Sequence, residues 1–391
     1  MAGAGSKERR FMNDEEKYSI IESLLNIIKT PLVVCDIGCR WGFQEHWKRL
    51  ESVVQLIGFD ADDQEIQVLN SSTEKEQFVP KVLGANSGHG YLFITQNPAC
   101  SSLYPPDENL VRSRPGTNDT SLVSKRAVEI STLDNWVVEK GISKIDFIKL
   151  DVQGAELDVL KGAEKILKSI RALEVEVQFN PLYQGVPLFG DVDQFLRKRG
   201  FSLWRIKNFS HYKLAGIDIQ STTQEIINYD IFPVSFTGKS GQLFWADAFY
   251  VHNEIAHEAL RSWETTLKDA CITSVLGFDD LYISSLQKLL ETCPEEVAQE
   301  VRKFFIPENL VPSLGEGDET PALANGSEEK ESDLDDMRSK LQQLESELSI
   351  VRAERDQAIY QMNALYQSNS YRITAPLRFA VDLVRKLLRK T

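Results

Sequence analysis

Three acidic residues each end an apolar, β-branched run with the composition of a buried strand. They are Asp36 in "LVVCDIGCRWG", Asp60 in "VVQLIGFDADD" and Asp151 in "KIDFIKLDVQGAE". A charged group at the end of an interior strand costs free energy unless something uses it. Ligands of open α/β sheets bind outside the carboxyl ends of the strands. We therefore predict that the three carboxylates meet at one ligand site.

The spacing around the first two acids favours a ligand that contains a nucleoside. Gly38 and Gly42 follow Asp36 in a D-x-G-x-x-x-G pattern, and glycine lets a backbone approach a ligand closely. Asp60 ends the second predicted strand, where its carboxylate could accept hydrogen bonds from the two hydroxyls of a ribose. Neither G-x-G-x-x-G nor a Walker lysine is present. Taken alone, Asp36 also fits a helix cap and Asp60 a turn, and only their order along the chain favours binding.

Two further acids interrupt the next predicted strand. In "LEVEVQF", Glu174 and Glu176 alternate with Val175 and Val177. An interior parallel strand is normally apolar on both faces. The strand is therefore predicted either to lie at a sheet edge or to line a cleft. Asp151 has two interpretations as well, since it could face the ligand or cap the following helix, with Glu156 interacting favourably with the helix dipole.

Strands and helices alternate between residues 32 and 200, which predicts a mainly parallel α/β sheet covered on both faces. Two closing strands, 201–209 and 241–251, predict an antiparallel pair at the sheet edge, with a long irregular stretch between them. The other elements that the pattern predicts are helices at 18–29, 131–141 and 191–200 and a strand at 171–179. Residues 98–130 are predicted to form a long loop.

Composition excludes some classes of protein. The net charge of −14 over 391 residues argues against general nucleic-acid binding. The five cysteines form no C-x-x-C pair and have no histidine at metal-ligand spacing, which indicates a reducing compartment. Residues 1–19 lack the apolar segment of a signal peptide, and no 18-residue apolar run occurs. These features predict a cytoplasmic protein.

The chain changes character after the predicted sheet. Residues 253–306 are predicted to be a helical extension to a first domain, 1–252, and 307–332 a disordered acidic linker. Apolar residues at 3,4 spacing within 333–366 predict a coiled coil that joins chains through 334–365, although an isolated helix with solvated charges also fits. Residues 367–391 form a basic amphipathic pattern that suits an anionic membrane surface or docking on the protein's own acidic body.

Several segments together resemble the FkbM family of S-adenosylmethionine-dependent methyltransferases. They are "CDIGCRWG", "GFDAD", "VLGANSGHGYLFITQNPACSSLYPP", "STLDNW", "DFIKLDVQGAELDVLKGAEKIL" and "GQLFWADAFYV", and they cover about residues 30 to 252 in the family's order. The resemblance implies a seven-stranded class I methyltransferase fold and O-methylation, often of sugars or polyketide hydroxyls. Arg40 is a departure, since it stands where relatives often carry a small or amide residue.

The resemblance also implies roles for the acids. S-adenosylmethionine is the expected cofactor, held by Asp36, Gly38, Gly42 and Asp60. Asp151 is expected to face the reacting centre. General-base candidates for deprotonating a hydroxyl are Asp151, Glu174 and Glu176, and the same carboxylates could instead hold Mg²⁺. The sequence does not decide between a base and a metal.

The most specific hypothesis is O-methylation of a sugar hydroxyl in bacterial surface-glycan biosynthesis. The stretch "SYRITAPLR" in the tail resembles tails of bacterial glycosyltransferases. It implies contact with a glycosyltransferase complex and a peripheral position at the inner membrane face. Two alternatives stay open: a nicotinamide-dependent oxidoreductase on a related sheet, and a coiled-coil scaffold of a glycan-assembly complex whose methyltransferase-like domain is inactive.

Overall fold

The computed structural model describes residues 14–304, apart from 29, 74, 115, 216–224, 229–232, 237–240 and 258–260. The linker, coiled coil and basic tail predicted for 307–391 lie outside the described residues. No helix in the described part of the chain has both the length and the apolar character needed to cross a membrane.

Helices and strands alternate along most of the described chain. The helices are α1 (Asp14–Leu25), α2 (Glu45–Lys48), α3 (Asp63–Ser72), α4 (Glu108–Ser113), α5 (Leu133–Lys140), α6 (Glu156–Lys161), α7 (Phe189–Arg197), α8 (Asn253–Ala256), α9 (Trp263–Val275), α10 (Asp279–Thr292) and α11 (Glu295–Phe304). The strands are β1 (Leu32–Ile37), β2 (Val54–Asp60), β3 (Glu76–Pro80), β4 (Val82–Leu83), β5 (Gly88–Thr95), β6 (Leu122–Ser131), β7 (Phe147–Leu150), β8 (Ala172–Gln178), β9 (Phe201–Tyr212), β10 (Glu225–Asn228), β11 (Pro233–Phe236) and β12 (Gln242–His252). Short 3₁₀ helices lie at Pro98–Cys100, Asn118–Thr120 and Ile166–Ser169.

The main sheet has seven strands in the order β3-β2-β1-β7-β8-β12-β9. Strands β1, β2, β3, β7 and β8 pair in parallel, and β12 runs antiparallel to both β8 and β9. This arrangement is the class I methyltransferase fold, so the predicted fold class is confirmed. The strand order reverses between β1 and β7, and a cleft at that switch point is the usual ligand site of such sheets.

Local sequence explains where individual elements begin and end. The Thr132 hydroxyl accepts the backbone N–H of Asn135 at 3.1 Å and caps α5. Gly141 ends that helix in the left-handed conformation, with φ of 68°. Asp62 caps α3 by accepting the N–H groups of Gln64 and Glu65. The predicted helix at 131–141 is thereby confirmed.

Alternating residues of the central strands serve two separate cores. Leu32, Val34 and Phe147 face a core that includes side chains of α1, α9, α10 and α11. Val33 and Ile148 face the opposite core, with side chains of α5, α6 and α7. The described residues between 253 and 304 form the helices α8 to α11, which pack against the sheet face that carries Leu32 rather than extending away from it.

Buried ion pairs fasten α9 to the sheet. The Asp269 carboxylate is fully buried and contacts Arg171 Nε at 2.7 Å and Arg261 Nε at 2.5 Å. The adjacent Lys268 donates to Asp146 Oδ2 and to the carbonyl of Pro31, both at 2.8 Å. Because a buried charge is tolerated only when it is paired, these contacts fix the position of α9.

The predicted loop over 98–130 is wrong in its last part. Strand β6 begins at Leu122 and pairs antiparallel with β5 in a second sheet of order β4-β6-β5. The side chains from Leu122 to Ala127 are all exposed, so the segment lacks the alternation that marks a half-buried strand. The pair of strands β10 and β11 likewise lies in the stretch that the sequence suggested was irregular, and α1 lies at 14–25 rather than 18–29.

Candidate active site

All seven residues singled out from the sequence line one cavity of about 1390 Å³ at the carboxyl ends of the sheet strands. They are Asp36, Gly38, Gly42, Asp60, Asp151, Glu174 and Glu176. The same cavity is bordered by β5 and β6 of the second sheet, through residues such as Leu92 and Arg126. The fold therefore brings together residues that are up to 140 positions apart in the chain.

Gly38 forms the closest backbone approach in the site. It has φ of 98°, and a Cβ atom built on it would lie 1.8 Å from the carbonyl oxygen of Asp151. Both backbones are held, because Gly38 donates its N–H to Phe59 at 2.8 Å and Asp151 donates its N–H to Ile37 at 2.9 Å. Only glycine fits where the loops after β1 and β7 meet.

Asp60 is the last residue of β2 and keeps one oxygen for a ligand. Its Oδ1 accepts the N–H of Asp62 at 2.8 Å, and Oδ2 has no hydrogen-bond partner among the described residues. Burial raises the pKa of Asp60, and the bond from Asp62 and the nearby Arg40 oppose that rise. Arg40 itself forms an ion pair with Asp62 at 3.0 Å, so it braces the loop beside Asp60.

A row of charges crosses the sheet next to the switch point. Asp36, Lys149 and Glu174 are direct neighbours in the registers of β1, β7 and β8. The Lys149 ammonium lies 3.8 Å from Asp36 Oδ1 and 3.4 Å from Asp151 Oδ2. Burial opposes the charge on Lys149, but the surrounding carboxylates outweigh it and raise the pKa of Lys149. Lys149 is thus the cation that permits several acids to share this cavity.

Burial changes the acid–base behaviour of the carboxylates themselves. It raises the pKa of Asp36 to about 6, with Lys149 opposing the rise. Burial, followed by the charge of Asp247, raises the pKa of Glu174 to about 8. The pKa of Glu176 is also raised, by burial and then by Asp151. Groups that titrate near neutral pH are suited to general acid–base work.

Strand β8 lies between β7 and β12, so the sheet-edge interpretation of Glu174 and Glu176 is wrong. Asp247 of β12 is the register neighbour of Glu176 and adds another buried carboxylate. Burial is also the largest factor that raises the pKa of Asp247, to about 6. The polar residues of this interior strand line the cavity.

Four acids of the site receive a hydrogen bond from a side-chain amide. Gln44 Nε2 donates to Glu174 Oε1 at 3.1 Å, and Asn208 Nδ2 donates to Asp247 Oδ2 at 2.7 Å. Gln153 Nε2 lies 2.9 Å from Asp151 Oδ1 and 3.3 Å from Glu176 Oε1. An amide orients a carboxylate without adding a countercharge, so the cluster stays acidic overall.

The helix-cap interpretation of Asp151 is also wrong. Helix α6 is preceded by Ala155, and no side chain caps it. Glu156 instead accepts the N–H groups of Val152 and Gly154, at 2.9 and 3.0 Å. Burial is the main cause that raises the pKa of Glu156, to about 7. Glu156 therefore shapes the turn, which leaves the Asp151 carboxylate to interact with Lys149 and Gln153.

Sequence reasoning missed five polar residues of this site: Gln44, Lys149, Gln153, Asn208 and Asp247. The two charged ones carried a signal, because each interrupts an otherwise apolar run, in "DFIKLD" and "FWADAFYV". The three amides carried none, since their carboxylate partners could not be read from spacing. Among the described residues, no group of three or more His, Cys, Asp or Glu side chains is arranged to hold a metal ion.

The comparison with protein families identifies part of the chain. Residues 72–203 match the "Methyltransferase FkbM domain". This matched segment covers about a third of the chain. It contains Asp151, Glu174 and Glu176, whereas Asp36, Asp60 and Asp247 lie outside the matched residues.

Individual proteins give partial matches. The chain is 41% identical over 68 residues to the 2-O-methyltransferase NoeI of Sinorhizobium fredii (strain NBRC 101917 / NGR234). The match spans 17% of this chain and only 28% of that relative.

Solved structures align more extensively but at low similarity. The magnesium protoporphyrin IX methyltransferase ChlM of Synechocystis PCC 6803 with bound SAM is 14% identical over 61% of this chain and 78% of that chain, with a TM-score of 0.26. A TehB-like SAM-dependent methyltransferase from Corynebacterium glutamicum is 12% identical over 59% and 87% of the two chains, with a TM-score of 0.25.

Proposed function

We propose that this chain is an S-adenosylmethionine-dependent O-methyltransferase that acts on a sugar hydroxyl. The observation that carries the proposal is the acid-lined cavity at the strand ends, since three of its five predicted acids lie in the segment that matches the FkbM methyltransferase domain. The partial relative that is a 2-O-methyltransferase supports oxygen as the methyl acceptor. The surface-glycan context rests on the sequence resemblance of the tail.

The residues present fit the methyl donor. Asp60 Oδ2 is available to ribose hydroxyls, and Gly38 leaves no side chain between a ligand and the backbone. Asp36 is buried, and its Oδ1 makes no hydrogen bond, so it can accept one from the donor's ammonium group. When bound, S-adenosylmethionine supplies a methyl group on a positively charged sulfur. The cavity of about 1390 Å³ leaves room for a second molecule beside it.

The chain's own contribution is to align the acceptor and to take its proton. Holding a hydroxyl in line with the methyl group is worth on the order of 7–11 kcal/mol. Asp151, Glu174 and Glu176 are the candidate bases. Carboxylates are also good acceptors for the other hydroxyls of a sugar ring.

Partners and assembly remain proposals drawn from the sequence. We propose a homo-oligomer joined through 334–365 and a peripheral contact through 367–391 with the inner membrane face or a glycosyltransferase complex. Both segments lie outside the described residues, and the acceptor itself is proposed to be a glycan.

Asp60→Ala is expected to weaken S-adenosylmethionine binding about 10- to 100-fold, because two hydrogen bonds to a charged group are lost. Isothermal titration calorimetry measures the affinity, and Asp279→Ala, an exposed carboxylate outside the cavity, is the matched control. Unchanged affinity in Asp60→Ala would exclude the ribose role. Titration with NAD distinguishes the methyltransferase proposal from the oxidoreductase alternative. The alternative predicts that NAD binds and that S-adenosylmethionine does not.

Asp151→Asn is expected to lower the rate of methyl transfer by about 10²- to 10⁴-fold with little change in donor affinity, because a base acts in the transition state. Tritiated S-adenosylmethionine and oligosaccharides that differ in their free ring hydroxyls measure transfer and locate the methyl group. Glu164→Gln, an exposed acid of the same motif, should behave like the wild type. Equal losses in rate and affinity would contradict a role in the chemical step, and no transfer to any sugar by the wild type would overturn the proposed acceptor.

A further inference from the structure

Two residues of the site adopt a backbone conformation that side chains disfavour. Gln153 has φ of 58° and Asn208 has φ of 57°, and they are the only non-glycine residues with positive φ in the described part of the chain. Asparagine tolerates this region and glutamine does so less readily. One lies in the turn after β7 and the other within β9, so no common local motif explains both.

The two strained residues share a target. Both side chains are amides that donate to acids of one cluster, of which Glu176 and Asp247 are buried. Gln153 contacts Asp151 and Glu176, and Asn208 contacts Asp247. Strained backbone persists where surrounding structure holds it, and it clusters at functional sites. Asp247 and Glu176 are register neighbours, so the two amides hold adjacent points of the same carboxylate group.

The Gln153 side chain and backbone have further contacts beside the acids. The Tyr183 hydroxyl lies 2.7 Å from the carbonyl oxygen of Cys100 and 3.0 Å from the Gln153 amide, and the Ser102 hydroxyl donates to the backbone carbonyl of Gln153 at 2.7 Å. The reverse orientation of the amide would point its oxygen at two carboxylates. The N–H groups of Gln153 therefore face Asp151 and Glu176 rather than the tyrosine.

We propose that Gln153 and Asn208 are positioning residues, which hold the Asp151, Glu176 and Asp247 carboxylates in fixed orientations on the acceptor side of the cavity and favour the ionised forms of Glu176 and Asp247. The proposal rests on the proposed methyl transfer for its purpose and on the observed contacts for its geometry. An N–H donor stabilises the charged form of a carboxylate. Removing it should raise the pKa of the acid that it contacted.

Other ionisable groups surround these acids and also influence their pKa values. They are Asp36 on β1, Lys149 on β7, Glu156 on α6, Glu174 on β8, Lys207 on β9, and Cys100, Asp119, Tyr183 and Tyr212 around the cavity. Only Lys149 and Lys207 among them are basic. The two lysines oppose the repulsion among the carboxylates, and the amides of Gln153 and Asn208 add hydrogen bonds to Glu176 and Asp247.

The test is the pH dependence of folding stability in full-length protein, which needs neither methyl donor nor acceptor. Gln153→Met keeps the side-chain length and removes the donors, and Asn208→Gly removes the donor and relieves the backbone. The stabilisation by an N–H to a carboxylate is present while the acid is ionised and is lost as it becomes protonated. The free energy of unfolding of wild type should therefore exceed that of each variant by an amount that grows as pH rises. For Asn208→Gly the growth should begin above about pH 6, where Asp247 ionises, and for Gln153→Met above the ordinary glutamate range, because the pKa of Glu176 is raised.

Urea unfolding from pH 5 to 9 measures this difference. The ratio of the folding equilibrium constants of wild type and variant should increase about 10- to 100-fold across that range for each variant. Gln194→Met, at an exposed glutamine of α7, should give a constant ratio. A constant ratio for Gln153→Met and Asn208→Gly would show that both amides contribute to stability through packing alone, and it would overturn the proposal. A pH-dependent ratio in a protein that transfers no methyl group would uphold the positioning and overturn only the proposed function.

Discussion

Gly38→Ala is expected to unfold the strand-end site and to abolish donor binding. The added Cβ would lie 1.8 Å from the Asp151 carbonyl oxygen, far inside contact distance, and the position also requires a φ of 98°. Neither backbone can retreat, because hydrogen bonds from Gly38 to Phe59 and from Asp151 to Ile37 hold both loops. We expect a loss of about 3 kcal/mol or more from strain and broken strand-end hydrogen bonds.

The matched control for this prediction is Gly141→Ala. Gly141 also has positive φ, 68°, but a Cβ there would meet no atom within 4 Å. The free energy of unfolding of Gly141→Ala should fall by only about 1–2 kcal/mol, which is the cost of placing an alanine in the left-handed region. Urea unfolding measures both losses, and calorimetry with S-adenosylmethionine measures binding. If Gly38→Ala proved as stable as Gly141→Ala and bound the donor normally, the close approach of β1 and β7 would be wrong.

Asp269→Ala is expected to lower the free energy of unfolding by about 3–5 kcal/mol. The carboxylate has no exposed surface and faces Arg171 and Arg261, so its removal takes a buried countercharge from both guanidinium groups. Arg171 then retains its ion pair with Glu254, at 2.8 Å. Chemical denaturation measures the loss. Asp280→Ala, at an exposed acid of α10, is the control and should change stability by less than about 0.5 kcal/mol. A similarly small loss for Asp269→Ala would show that the network is dispensable.

The same network bears on the domain boundary predicted at residue 252. Arg171 lies before that boundary and Asp269 after it, and Lys268 reaches back to Asp146. The helices α9 and α10 also bury one face of the sheet. We therefore propose that the folding unit of the methyltransferase domain continues through α11, to about residue 304.

The sequence by itself determined the sheet and the seven cavity residues. Strands β1, β2 and β7 are short, mainly apolar runs with an acid at or next to the end, and parallel strands must bring such ends to one edge. Asp36, Asp60 and Asp151 could for that reason be predicted to meet. Local capping signals at Thr132 and Gly141 fixed α5 in the same way.

Only the tertiary structure decided how those residues interact. Whether Glu174 lined a cleft or an edge depended on the strand order, which places β8 between β7 and β12. Strand β6 forms because β5 offers a partner, although its own side chains are exposed. The pairing of Gln153 and Asn208 with their carboxylates joins segments far apart in the chain. Hydrogen-bond partners and burial set the charge state of an acid, and both arise only when separate segments pack together.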